Sequence, residues 1–189
     1  MISCLFLFFY INRSLHIDFR SFFLKQRLLL LSFLLCAFSP FFSLKAEEDK
    51  TAKLLYMGAG VYDIIHNPKN LQLQLEYRSF IKSFHYARPL IGLFGTDKAT
   101  FYFYSGMALD IFLGKKFVIT PSFAPGLYFK GFGKNLWFPL EFRSSMEAAF
   151  VLPNKGRIGA QFFHISNASL GSKNPGAESL IFFYALPLY

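Results

Sequence analysis

The stretch LQLQLEYR, residues 71–78, alternates residue by residue. Leu71, Leu73, Leu75 and Tyr77 fall on one side, and Gln72, Gln74, Glu76 and Arg78 on the other. Only an extended strand sends neighbouring side chains to opposite faces, so this period excludes a helix here. The same period returns in WFPLEFRSSMEAAFVL, residues 137–152: Phe138, Leu140, Phe142, Met146, Ala148 and Phe150 oppose Glu141, Arg143, Ser145 and Glu147. Following it along the chain predicts eight strands, at 53–63, 70–81, 86–95, 99–112, 116–127, 136–152, 156–167 and 178–189. The breaks HNPKN, GTDK, LGKK, GFGKN, PNKG and GSKNPG carry turn residues. Strands this long exceed the usual soluble length and match a tilted bilayer crossing.

A soluble sandwich or lipocalin-like barrel and a transmembrane barrel both alternate. They differ in which face meets the core. Composition decides between them. The chain is 53% hydrophobic with 27 Phe, and only 16% is charged, against about 25% in a soluble domain. A core of this size cannot hide that much aromatic surface, so the outside is expected to be apolar. The fold class expected is all-β: an eight-stranded antiparallel transmembrane β-barrel of the bacterial outer membrane. Chain end SLIFFYALPLY, closing on Tyr189, resembles the terminal assembly signal of such proteins. Eight strands enclose a lumen filled by side chains, which argues against a porin channel.

Residues 1–46 are read separately. Lys25 and Arg27 precede an apolar run from Leu28 to Phe42, with a cleavage site expected after Ala46. This is the layout of a signal peptide. A transmembrane helix is the competing assignment, but Pro40 interrupts the run and a span needs about 20 residues. The domains expected are 1–46, an N-terminal extension plus signal peptide, and 47–189, the barrel. Both cysteines, Cys4 and Cys36, lie in the first segment, so residues 47–189 have no thiol chemistry. Leu35 ahead of Cys36 argues against a lipoprotein site. Residues 1–46 carry five of the 20 basic and one of the 11 acidic residues, leaving net +5 on 47–189. That modest charge suits an anionic surface and not nucleic acid.

With an even strand number both barrel ends lie on the periplasmic side, where turns are short. Segment 156–167 then runs outward from the PNKG turn, and residues 167–177 form an outer loop. Ile158, Ala160, Phe162, His164 and Ser166 share a face that is apolar until His164. His164 and Ser166 are therefore expected to face lipid at the outer leaflet, where polar groups need a reason to be. Their Cα atoms should stand ~6.6 Å apart, close enough for imidazole to reach the hydroxyl, and Glu178 opens the neighbouring strand. That is the arrangement of nucleophile, base and orienting carboxylate, which needs no metal or cofactor. The bland alternative is a polar loop with an interfacial histidine.

The longer string settles the preference. His164-Ile165-Ser166-Asn167-Ala168, five residues, then Asn174-Pro175-Gly176-Ala177-Glu178 resembles the signature of the outer-membrane lipid A 3-O-deacylases, the PagL-like family. The resemblance extends over the whole of 47–189. It implies an esterase that removes the acyl chain ester-linked at position 3 of lipid A. It implies Ser166 as nucleophile, His164 as general base and acid, and Glu178 as orienting acid. It further implies an oxyanion hole from the Asn174 side chain and a backbone N–H near Ser169, with Asn167 and Gly176 in support. Lipid A, outer-membrane lipids and a second copy of the chain are the candidate partners. Among the outer-loop lysines, Lys130, Lys134 and Lys173 are candidates for lipid A phosphates. Glu76, Arg78, Glu141, Arg143 and Glu147 are expected to form a lumenal charge network. His66 and His85 are read as loop or interfacial residues, and Tyr102, Tyr104, Tyr128 and Trp137 as interfacial girdle. The alternatives are a barrel esterase acting on phospholipid or another acyl ester, and a non-enzymatic adhesin or structural barrel.

Overall fold

The computed structural model describes residues 52–67, 69–80 and 87–189. The expected signal peptide and His85 lie outside the described residues. Nine strands follow in order: β1 Lys53–Tyr62, β2 Asn70–Arg78, β3 Ala87–Thr96, β4 Phe101–Leu109, β5 Ile111–Leu113, β6 Phe117–Phe129, β7 Leu140–Val151, β8 Arg157–Ser166 and β9 Ala177–Leu188. Each pairs antiparallel with its neighbours, β1 pairs with β9, and β4 pairs with β6 to close the sheet. β4 and β5 act as one stave. Tyr104↔Gly126, Met107↔Phe123 and Ile111↔Ile119 keep one register against β6, interrupted at Asp110, whose carboxylate accepts from Arg88, Arg157 and Thr120. The result is a closed eight-stranded barrel with no helix among the described residues and no open sheet edge.

The two faces are sorted as a membrane requires. Leu71, Leu73, Ile91, Phe103, Phe123, Leu127, Phe150 and Phe182 are exposed, while Gln72, Glu76, Arg78, Arg143, Glu147 and Gln161 are buried. A soluble barrel would invert this. Part of the lumen is held by paired charges. Arg78 donates to Glu76 Oε1 at 2.6 Å, to Glu147 Oε2 at 2.6 Å and to the Tyr56 hydroxyl at 3.0 Å. Tyr104 donates to Glu76 Oε2, and Arg143 to Gln161.

Two expectations need correction. Glu141 is buried but sits outside this network: its carboxylate oxygens have no hydrogen-bond partner among the described residues. Tyr102, Tyr104 and Tyr128 are not girdle residues; they are buried in the lumen. Phe101 and Phe103 take the outward positions on β4, and the tyrosines face in because their hydroxyls find lumenal partners: Tyr102 the Glu141 carbonyl, Tyr104 Glu76 and Tyr128 Tyr62. Trp137 is 46% exposed, as a rim residue should be.

Candidate active site

β8 and β9 run side by side, and their register sets His164 directly opposite Glu178. On β8 the residues Gln161, Phe163 and Ile165 are buried, so His164 and Ser166 share the outward face. Glu178 likewise falls between the buried Ala177 and Ser179. His164 Nδ1 and Glu178 Oε1 are 2.9 Å apart. With Nδ1–H donated to the carboxylate, the neutral ring keeps its lone pair on Nε2, the form a general base needs. The carboxylate is less exposed than the ring, 18% against 43%. The Glu178 backbone is also held, its carbonyl accepting from Ile64 N at 3.0 Å.

Ser166 lies two positions along the same face, half-buried and paired across to Phe142 on β7. The structure brings His164 and Glu178 into contact. It gives Ser166 no side-chain hydrogen bond to His164 among the described residues. Catalytic hydrogen bonds are often long before substrate is bound, so the placement is compatible with a nucleophile.

Gly176 adjoins the ring. Its φ is +62°, in the left-handed region that favours glycine, and a Cβ there would stand 2.5 Å from His164 Cε1 and 3.2 Å from Nε2. Any side chain at residue 176 would crowd Nε2.

Residues 167–176 are organised by Asn167, which is fully buried. Its amide donates to Leu136 O and Lys173 O, both at 2.7 Å, and its Oδ1 accepts from Ser169 N at 2.9 Å. Its own N–H donates to Asn174 Oδ1 at 3.1 Å. That bond fixes the Asn174 amide and leaves its NH2 group aimed elsewhere. The Ser169 N–H is engaged by Asn167, so it meets an oxyanion only by sharing that bond. Ala168 and Ser169 both take positive φ, 50° and 66°, which keeps the turn tight beside Ser166.

The three lysines have different surroundings. Lys130 is exposed at the end of β6. Lys173 sets Nζ 4.7 Å from the Trp137 ring. Lys134 is instead paired with Asp63 Oδ1 at 2.9 Å. Asp63 has no role in the sequence reading, and His66 only that of a loop or interfacial residue. They follow β1, and barrel closure puts the end of β1 beside the start of β9, with Tyr62 opposite Ser179. Counting β1 and β9 as neighbours is the signal that finds them. Asp63, His66 and Glu178 have ligand-type atoms all within 4.8 Å of one another, and the Lys134 ammonium is the cation that meets this group.

A family model described as lipid A 3-O-deacylase (PagL) matches residues 66–187. The fold is similar to a structure described as the crystal structure of the outer membrane enzyme PagL: TM-score 0.55, 19% identity, covering 71% of this chain and 99% of that one. It is also similar to a de novo designed transmembrane β-barrel, with TM-score 0.53, 8% identity, and coverage of 75% and 99%. No curated protein sequence matches the chain. The family match spans more than half of the sequence and ends within the last strand, so the chain is an outer-membrane β-barrel that belongs to the lipid A 3-O-deacylase (PagL) family.

Proposed function

We propose that this chain hydrolyses the ester-linked acyl chain at position 3 of lipid A, with Ser166, His164 and Glu178 as a catalytic triad. The observation that carries the proposal is the His164–Glu178 pair at 2.9 Å on the lipid-facing wall, with Ser166 on the same face. A charged and polar pair has no structural use against lipid. The lumen already has its own ion pairs.

In this reading Ser166 Oγ attacks the ester carbonyl carbon while His164 Nε2 takes the hydroxyl proton. Glu178 holds the ring and stabilises the imidazolium. The carbonyl oxygen becomes an oxyanion, met by the Asn174 NH2 group. One such donor typically contributes about 2.7–4 kcal/mol. The imidazolium returns its proton to the departing sugar oxygen as the C–O bond breaks, freeing the sugar hydroxyl. Water, deprotonated by His164, then cleaves the acyl-serine, releasing the fatty acid and restoring Ser166. The substrate already lies in the outer leaflet, so it arrives by lateral diffusion to an exterior site. Lys130 and Lys173 are the exposed cations for its phosphates. Residues 1–46 supply the extension and signal peptide that route the chain.

Purified, detergent-folded barrel incubated with lipid A should release one hydroxy fatty acid per molecule. Release from a glycerophospholipid instead, with lipid A untouched, would move the substrate to another acyl ester.

A further inference from the structure

Lys134 looks like an outer-loop cation in the sequence, yet it is drawn into a cluster that includes Glu178. Its Nζ lies 2.9 Å from Asp63 Oδ1 and 3.0 Å from His66 Nδ1. Asp63 is buried, and only 18% of the Lys134 side chain is exposed. Backbone bonds hold both partners in place: Ile64 N donates to Glu178 O, and the Tyr128 hydroxyl to Lys134 O. Asp63 and Glu178 carboxylate oxygens come within 4.8 Å of each other.

We infer that Asp63 and Lys134 form a positioning charge pair for Glu178. The assignment rests on the Ser166–His164–Glu178 triad proposed above. Two carboxylates this close disfavour each other's ionised form. The Lys134 ammonium offsets the Asp63 charge beside Glu178, whose carboxylate is turned to His164. Lys134 then acts through Glu178 and does not bind phosphate. The groups facing Glu178 are His164 from β8, Asp63 and His66 from the turn after β1, and Lys134 from the β6–β7 loop. Lys173, in the loop before β9, is directed at Trp137.

The sign of each perturbation follows. Lys134→Met leaves Asp63 with the His66 Nδ1 contact at 2.8 Å and no ammonium, adds negative charge beside the pair and favours the His164 imidazolium. The acid limb of the pH–rate profile then moves to higher pH. Asp63→Asn leaves the ammonium uncompensated and moves that limb to lower pH. For unit charges about 8–10 Å apart the displacement is about 0.3–1.5 pH in each direction, the span being that between full water screening and near-surface screening. The double variant Asp63→Asn/Lys134→Met returns close to wild type.

The test is the pH–rate profile of lipid A deacylation by the full folded barrel for these three variants. It is repeated in a His66→Gln background to remove the other titratable group facing Glu178. Folding is read from the heat-modifiable gel shift. Opposite displacements that cancel in the double variant, with KM within twofold of wild type, support the pair. Limbs that stay still or move together overturn it, as does a Lys134→Met variant that only raises KM, which marks a phosphate contact. Ser166→Ala, run beside them, separates the two levels. Retained turnover there overturns the triad and the pair together. An inactive Ser166→Ala with unmoved limbs overturns the pair alone.

Discussion

Replacing Gly176 by alanine should disable the enzyme without unfolding it. The Cβ would lie 2.5 Å from His164 Cε1, whereas carbon atoms rest at about 3.5–4.0 Å. The ring must therefore retreat by about 1 Å, and a displacement of that size can lower a rate by about 100-fold. The backbone adds a smaller effect: a φ of +62° costs alanine about 1–2 kcal/mol. The residue sits in an outer loop at the mouth of β9, so the barrel below should survive. The assay is kcat/KM for deacylation by detergent-folded protein, with the heat-modifiable gel shift as folding control. Gly176→Asn separates the causes, because asparagine tolerates left-handed φ but still carries a Cβ. It should regain stability relative to alanine and stay as slow. Either variant within threefold of wild-type kcat/KM would refute the close packing of glycine against the ring.

Two further outcomes test the supporting structure. Asn167→Ala removes a buried side chain that makes three hydrogen bonds to Leu136, Lys173 and Ser169; activity should fall at least tenfold, with the barrel's thermal unfolding midpoint nearly unchanged. Arg78→Met removes the 2.6 Å ion pairs of the buried Glu76 and Glu147, leaving Glu76 a longer 3.7 Å contact with Arg143, so the barrel should lose about 3–5 kcal/mol, measured by urea unfolding in lipid vesicles.

The barrel was legible because its strands separate two solvents. Leu71, Leu73 and Leu75 opposite Gln72, Gln74 and Glu76 leave one parity for lipid and one for the lumen, and β7 repeats the choice. The parity of β8 was harder to read, since Phe163 and Ile165 are apolar and yet face inward. FYFY at 101–104 misled for a related reason: both parities are aromatic, so alternation names no inside. What decides it is the partner of each tyrosine hydroxyl, and the Glu141 carbonyl and the Glu76 carboxylate stand far along the chain from Tyr102 and Tyr104. The His164–Glu178 pair was legible because it follows from strand neighbours and a short loop. The Lys134–Asp63 pair was not. It joins residues 71 positions apart through barrel closure, and position in an outer loop alone makes every lysine look available to substrate.

The central claim is that an exterior Ser166 nucleophile, served by His164 and Glu178, deacylates lipid A. The most direct test is mass spectrometry of lipid A from cells carrying the wild-type chain beside cells carrying Ser166→Ala, both verified as folded in the outer membrane. The account predicts loss of one ester-linked hydroxyacyl chain from position 3 with the wild type and intact lipid A with Ser166→Ala. Identical lipid A from the two strains, whether both deacylated or both intact, would contradict it.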